Sequence, residues 1–225
     1  MKLAVFDFDG TLFPQDTLPF LLKQWREQKL SMRRLMVTYA MVGVMYIRYK
    51  LGLYGSMSRE HMRKKAMQRF THIFHAMTKE DVDTFFERCA RIIVQSLNTA
   101  VVAEMRNKKA GGFHTVLLSG GYQRLMDYVG ASLSFDTVIG TVLKYKQDTV
   151  DASQTLDIVS GDEKAQRLND AFSSVQVDWE QSCAYADSLS DMPILRLVGH
   201  PVVVNPDPGL AKELETTGWP VLSEA

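Results

Sequence analysis

Short apolar runs alternate with amphipathic segments at the start of the chain and throughout its second half. The apolar runs cover residues 3–8, 113–118, 182–186 and 201–204. Helical patterns at 123–129 and 162–172 separate the later runs. Short apolar runs of this kind fit buried parallel strands, and parallel strands need crossover helices between them. The pattern therefore predicts an α/β protein with an open, parallel sheet.

The region between the first and second apolar runs has a different, purely helical pattern. Its helical segments are 17–29, 31–51, 58–76 and 79–98, with breaks or caps supplied by 52–56 and Thr78. An all-helical block of this size is too large for one crossover connection. We predict an inserted helical cap domain over 14–98 and a catalytic core formed by 1–13 and 99–225.

The segment 134–145 alternates apolar and polar residues and is rich in β-branched types. Gly140 lies in its middle. Alternation around a glycine is typical of two short antiparallel strands. We therefore predict a small hairpin here.

Composition excludes some partners and indicates a compartment. Lys plus Arg and Asp plus Glu both total 26, so net charge gives no attraction to nucleic acid or an anionic membrane. The only cysteines, Cys89 and Cys183, suit buried free thiols of a reducing compartment. The apolar run over residues 1–6 is too short for a secretion signal, so we predict a cytoplasmic protein.

The most apolar stretch, 36–47, has basic residues on both sides. It is far shorter than the roughly 20 residues that a membrane-spanning helix needs. Packing inside the helical block is the favoured interpretation. A helix that lies on a membrane surface stays open as the alternative.

Asp7 and Asp9 stand at the end of the first predicted strand, in the run Asp-Phe-Asp-Gly-Thr. One carboxylate can attack phosphorus to give an acyl phosphate while the second protonates the departing oxygen. A cation must accompany them, because a dianionic ester repels the attacking oxygen. An acidic turn without chemistry explains the bare motif equally well, so other residues must decide.

Three further elements follow in order along the chain. Ser119 and two glycines close the second predicted strand, and Lys164 opens a helix. The third element is the acidic pair Asp187 and Asp191, which closes a later strand. The spacing of Ser160 and Glu163 predicts a capping box that places Lys164 in the first helical turn. Alone, these residues would also suit an ordinary loop and a solvated lysine.

With these four elements in this order, the chain resembles the haloacid dehalogenase superfamily, specifically its phosphoserine-phosphatase-like branch, subfamily IB. The resemblance runs from Lys2 to about Leu222. It implies a Rossmann-like parallel sheet with an inserted cap. It also implies that Asp7 is the nucleophile and that Asp9 is the general acid and base.

The resemblance further implies a set of ligand-binding residues. Mg²⁺ would be bound by Asp7, Asp187 and the main-chain carbonyl of Asp9, and oxygen donors of this kind suit that ion. The phosphoryl oxygens would be held by Ser119, Gly120 and Lys164. Asp191 would hold a metal-bound water or orient Lys164.

Two residues are candidates for substrate recognition. Asp16 lies where phosphoserine phosphatases carry a glutamate that meets the substrate's amino group, although it equally suits a helix cap. Arg63 could meet a substrate carboxylate, although a solvated basic face is the favoured interpretation.

The resulting hypothesis is a magnesium-dependent phosphomonoesterase for a small phosphorylated metabolite, with phosphoserine-like compounds among the candidates. The alternatives are a phosphatase of phospholipids or proteins, a phosphotransferase and a non-catalytic phosphate-binding module. The partners predicted are a small phosphate ester and no nucleic acid. The protein is expected to be a monomer or homodimer, without a transmembrane segment and with peripheral membrane contact left open.

Overall fold

A six-stranded parallel sheet forms the centre of the protein in a computed structural model that describes residues 1–54 and 58–222. The strands are β1 (Leu3–Phe6), β2 (His114–Tyr122), β3 (Thr137–Thr141), β4 (Tyr145–Lys146), β5 (Thr149–Val150), β6 (Cys183–Ala186), β7 (His200–Val204) and β8 (Val221–Leu222). The sheet order is β3-β2-β1-β6-β7-β8, and β4 and β5 form a separate antiparallel pair. This arrangement confirms the predicted α/β fold.

The first strand lies at the middle of the sheet because every residue in it is apolar. Leu3 and Val5 face one hydrophobic cluster, and Ala4 and Phe6 face the other. All four side chains are completely buried. A strand that is covered on both faces needs such a continuous apolar run. The residues after β1 therefore emerge at the carboxyl edge of a rigid sheet, where ligands bind in open α/β folds.

Nine helices accompany the described strands. They are α1 (Thr17–Glu27), α2 (Met32–Lys50), α3 (Arg59–Phe70), α4 (Lys79–Val94), α5 (Thr99–Ala110), α6 (Gln123–Leu133), α7 (Asp162–Ala171), α8 (Met192–Leu195) and α9 (Pro208–Thr217). Short 3₁₀ turns cover Thr71–Phe74 and Leu189–Asp191. We refer to α1–α4 as the helical block. Each of these four helices lies within one of the four predicted helical segments.

The helical block shares its hydrophobic core with the sheet. The ring of Tyr122, at the end of β2, stacks on Phe86 of α4 with 5.4 Å between centroids. The Tyr122 hydroxyl also shares a 2.8 Å hydrogen bond with Thr71, just after α3. The shared core fixes the block over the sheet edge. The division of the chain into domains at 13/14 and 98/99 stays a prediction.

The hairpin predicted for 134–145 is wrong. Its central part is β3, which pairs in parallel with β2 at the edge of the main sheet. Three of the five β3 residues are only half-buried, so the strand lacks the continuous apolar run of a strand that is covered on both faces. The antiparallel pair lies just downstream, with Tyr145 opposite Val150.

The predicted cap at Thr78 is confirmed, because its side chain accepts a hydrogen bond from the backbone N–H of Asp81 at 3.1 Å. Part of the other predicted break, residues 55–56, lies outside the described residues. Cys89 and Cys183 are buried free thiols, as expected.

Helix α2 buries one face and exposes the other. Leu35, Thr38 and Met45 are buried against the rest of the helical block. The opposite face exposes large apolar side chains, among them Met36 and Ile47. The segment is therefore neither fully buried nor fully peripheral. Among the described residues, no helix combines the length and apolarity needed to cross a membrane.

Candidate active site

The predicted site residues converge at the carboxyl edge of the sheet. Asp7 directly follows β1, and its N–H donates to Tyr185 in β6 at 2.9 Å, so the backbone pairing continues up to it. Ser119 lies near the end of β2, and Asp187 follows β6. These residues line a cavity of about 320 Å³. The remaining predicted site residues line the same cavity, namely Asp9, Asp16, Arg63, Gly120, Lys164 and Asp191.

Lys164 joins two buried carboxylates. Its Nζ lies 2.5 Å from Asp7 Oδ1 and 2.5 Å from Asp191 Oδ1, and all three side chains are almost completely buried. Burial opposes the charge of the lysine, but Asp191 and Asp7 together raise the pKa of its ammonium. Burial raises the pKa of Asp7 to about 6, although Lys164 pulls it down. The lysine therefore holds Asp7 in place and favours its ionised form.

The capping box predicted around Ser160 is wrong, although Lys164 does lie in the first turn of α7. The residue that precedes the helix is Gly161, with a φ of 58°, and it provides no side-chain cap. The Ser160 hydroxyl instead donates to Glu60 Oε1 of α3 at 3.3 Å. The Ser160 side chain therefore bonds to a residue 100 positions away in the chain and does not cap the first turn of α7.

Asp9 is held by the first residue of α1. The Thr17 N–H donates to Asp9 Oδ1 at 2.9 Å, and the Thr17 hydroxyl donates to the same oxygen. Burial nevertheless raises the pKa of Asp9 to about 7, against the effect of these bonds. A carboxyl with this pKa can both give and take a proton near neutral pH, which suits general acid–base catalysis.

Three carboxylates form a potential cation site. Oxygen atoms of Asp7, Asp187 and Asp191 lie within 4.8 Å of one another. Burial, and then repulsion by Asp7 and Asp191, raise the pKa of Asp187 to about 8. A bound cation would relieve this repulsion, and an all-oxygen donor set suits a hard ion such as Mg²⁺. The residues present therefore fit the ion that the resemblance implies.

Gly10 allows Asp187 to approach the loop after β1. Its φ is +77°, and a Cβ placed there would lie 2.2 Å from Asp187 Oδ2. A side chain at this position is disfavoured by the backbone conformation and by the clash. The glycine thus positions a carboxylate of the cation site.

We expect Gly10→Ala to lower kcat/KM about 100-fold, since displacing a reacting group by about 1 Å can have that effect. The concentration of divalent cation needed for half-maximal activity should rise as well. Gly43→Ala is the matched control, because nothing lies within 4 Å of a Cβ at Gly43. Steady-state kinetics with a magnesium titration would check both variants, and equal values for them would contradict this role of Gly10.

The end of β2 provides a candidate phosphate-binding segment. The register against β3 shifts between Leu118 and Tyr122, so the backbone of residues 119–121 leaves the regular ladder. Ser119 Oγ accepts a hydrogen bond from the Gly121 N–H at 2.9 Å. Its hydroxyl hydrogen can then point to an anion in the cavity. Gly120 permits the close approach of Val159, whose carbonyl would lie 3.1 Å from a Cβ there.

Asp16 and Arg63 meet at the rim of the cavity. Arg63 Nη2 lies 3.8 Å from Asp16 Oδ1, and both side chains are largely exposed. Asp16 precedes α1 but makes no side-chain capping bond, so its proposed alternative role as a cap is wrong. Arg63 is exposed, as the interpretation of a solvated basic face requires, and it also lines the cavity, so a role in substrate recognition stays a prediction.

Some contributors to the site have no clear signal in the sequence. Thr17 could have been noticed only as a hydroxyl residue at the start of the helix that follows the Asp7 loop. Ser188 donates to Asp191 Oδ2 at 2.7 Å and so orients the partner of Lys164. The apolar wall of the cavity comes from separate helices and cannot be read from any local motif.

Comparisons with known proteins agree with this geometry. A family model described as haloacid dehalogenase-like hydrolase matches residues 4–196. The chain is 28% identical over 224 residues to "Probable phosphatase Rv3661" of Mycobacterium tuberculosis, covering 98% of this chain and 74% of that one. It is 29% identical over 153 residues to a histidinol-phosphatase of Neisseria meningitidis, covering 65% and 68%.

A crystal structure of phosphoserine phosphatase in its apo form has a similar fold. The TM-score is 0.65 at 15% identity, and the match covers 100% of this chain and 94% of that one. The family model spans the helical block and the sheet strands up to β6, and the predicted motifs meet in one cavity. The chain belongs to the haloacid dehalogenase-like hydrolase family.

Proposed function

We propose that this hydrolase is a magnesium-dependent phosphomonoesterase that forms an aspartyl-phosphate intermediate on Asp7. The observation that carries the proposal is the pairing of two unlike carboxyl groups. Asp7 is fixed by a buried lysine at 2.5 Å, whereas the pKa of Asp9 is raised to about 7 by burial. One group is thus set up to attack and the other to move a proton.

The reaction would proceed in two steps. A carboxylate oxygen of Asp7 attacks phosphorus, the bond from phosphorus to the ester oxygen breaks, and Asp9 gives that oxygen its proton. A water molecule then attacks the phosphorylated Asp7 while Asp9 takes a proton from it, which releases inorganic phosphate and restores both carboxyl groups. Lys164 and the Ser119 hydroxyl would offset charge on the phosphoryl oxygens.

Mg²⁺ would be held by Asp7, Asp187 and the carbonyl of Asp9. Asp191 lies outside this set, because its two oxygens accept hydrogen bonds from Lys164 and Ser188. The ion would neutralise the phosphate and polarise its oxygens. Asp191 then acts through Lys164 as a positioning residue.

We expect the metal-free protein to lose stability as pH rises from about 5 to 8. The pKa values of Asp7 and Asp187 are raised to about 6 and 8, so the folded state binds more protons than the unfolded state across this range.

Mg²⁺ at about 100 times its Kd should raise the Tm near pH 8 by about 5–10 °C. Thermal unfolding with EDTA or with Mg²⁺ tests this expectation. The Asp187→Asn variant is the control, and its Tm should not change with Mg²⁺. A wild-type Tm that is equally unaffected by Mg²⁺ would contradict the expectation.

The substrate is proposed to be a small phosphorylated metabolite, and the helical block is proposed to act as the cap over it. The names of two similar proteins suggest histidinol phosphate and phosphoserine as test compounds. Asp16 and Arg63 at the rim offer a carboxylate and a guanidinium for charged groups of such substrates. The two free thiols support a reducing compartment such as the cytoplasm.

The proposal is tested by phosphate release from an aryl phosphate and a panel of metabolite phosphates, with Mg²⁺ and with EDTA. Release that requires Mg²⁺ is expected. A folded protein that releases no phosphate from any ester in the presence of Mg²⁺ would overturn the proposal.

A further inference from the structure

Part of the lining of the cavity is an apolar wall. It is formed by side chains of α1, α2, α3 and the loop before α7, namely Leu18, Leu22, Val42, Met67, Phe70 and Ile158. A phosphate ester with its phosphorus at Asp7 would have its alcohol part in the same cavity as this wall. Apolar surface binds apolar groups because both lose contact with water.

The charged groups near this wall already have partners. Lys64 Nζ lies 2.9 Å from Glu60 Oε1, and Arg63 pairs with Asp16 at the rim. Each pair carries no net charge. A zwitterionic alcohol such as serine would displace the exposed Arg63–Asp16 pair at little cost, but it would leave much of the wall without an apolar partner.

We infer that the alcohol part of the substrate carries an apolar segment, alkyl or aryl, that packs against Leu22, Val42 and Phe70. This inference rests on the proposed phosphatase function and specifies its substrate class. Val42 belongs to the inner face of α2, so the same helix would both line the cavity and close it from solvent.

A homologous series of n-alkyl phosphates tests the inference, because the reactivity of the leaving group stays constant along it. We expect kcat/KM to rise roughly two- to fourfold for each added methylene between ethyl and hexyl phosphate. Val42→Thr keeps the side-chain shape and should reduce the hexyl-to-ethyl ratio about threefold or more. Val175→Thr, at an exposed position outside the cavity, should leave the ratio unchanged.

The inference would be overturned if release required Mg²⁺ but kcat/KM were the same for every alkyl phosphate. It would also be overturned if kcat/KM were higher for phosphoserine or histidinol phosphate than for hexyl phosphate. Either result would leave the phosphatase function intact. Absence of release from every ester would contradict the proposed function as well. An equal ratio in wild type and Val42→Thr would show that this wall does not contact the alcohol.

A second, independent observation concerns the outer face of α2. It exposes a stripe of large apolar side chains that includes Met32, Met36, Tyr39, Val44, Tyr46 and Ile47. Residues 28–59 contain six Lys or Arg and no Asp or Glu. An exposed apolar stripe with tyrosines and basic ends fits the interface of an anionic lipid bilayer.

Self-association fits this face less well. In a two-fold symmetric dimer the same patch meets itself, so the basic residues of both copies would approach without any acidic partner on α2. We propose that the outer face of α2 docks onto anionic membranes. Arg33 and Arg48, both exposed, would supply the electrostatic part of the attraction.

Co-sedimentation with phosphatidylcholine vesicles, with and without phosphatidylglycerol, tests this proposal. We expect binding only to the anionic vesicles, a decrease with added salt, and at least a tenfold loss in Met36→Glu. Val175→Glu is the matched control at an exposed position elsewhere and should bind like wild type. Circular dichroism and Tm would establish that both variants fold.

Three results would overturn the docking proposal. They are no binding to anionic vesicles, equal binding by Met36→Glu and wild type, and a wild-type dimer in analytical ultracentrifugation that Met36→Glu converts to monomers. The last result would assign the face to a second copy of the chain.

Discussion

Replacing Asp7 by Asn should lower kcat by roughly 10⁴-fold or more, because the proposed covalent intermediate forms on the Asp7 carboxylate. The substitution keeps the shape of the side chain and removes one of three close carboxylates. The variant should therefore fold, and its metal-free form should be at least as stable as wild type near pH 8. Phosphate release and thermal unfolding, measured on the same preparations, would check both expectations.

Asp170→Asn is the matched control for this substitution, since Asp170 is exposed at the end of α7 and lies outside the cavity. It should retain wild-type activity. Substantial turnover by a folded Asp7→Asn protein would show that another residue or a water molecule attacks phosphorus.

Lys164→Met should impair both activity and stability. We expect kcat to fall about 10²–10³-fold, as it does when a charge-stabilising donor is removed from an active site. The unfolding free energy near pH 8 should fall by about 3–5 kcal/mol, because Asp7 and Asp191 would remain buried without their cation. At about pH 5 the loss should be smaller, since the uncompensated Asp7 carboxyl can bind a proton.

Chemical denaturation at both pH values would measure this effect, with Lys212→Met at an exposed position of α9 as the control. Adding Asp191→Asn to Lys164→Met should restore part of the stability, because it removes one unpaired carboxylate. If the double variant were no more stable than Lys164→Met, charge burial would not explain the loss.

The strands that support the site could be predicted because buried parallel strands leave a simple apolar signature. Residues 3–8 and 182–186 contain β1 and β6, and Asp7 and Asp187 stand directly after these strands. Strand β3 was misassigned because it lies at the sheet edge and is only partly buried, so it mixes polar and apolar residues and lacks the apolar run of a central parallel strand.

Contacts that depend on the packing of distant helices could not be predicted. The position of Lys164 was right but its explanation was wrong, since Ser160 bonds to Glu60 of α3 and not to its own helix. Likewise, Thr17 reaches Asp9 only because α1 begins beside the carboxyl edge of β1. Local spacing carries no information about such contacts, although it located the chemical groups themselves.

The most direct test of the account is to trap the covalent intermediate. The Asp9→Asn variant, which should hydrolyse it slowly, would be mixed with substrate and Mg²⁺, quenched in acid and examined by peptide mass spectrometry. We expect the added mass of one phosphoryl group on Asp7, removable by hydroxylamine and absent in Asp7→Asn. Phosphate release without any phosphorylated Asp7, or with the phosphoryl group on another residue, would contradict it.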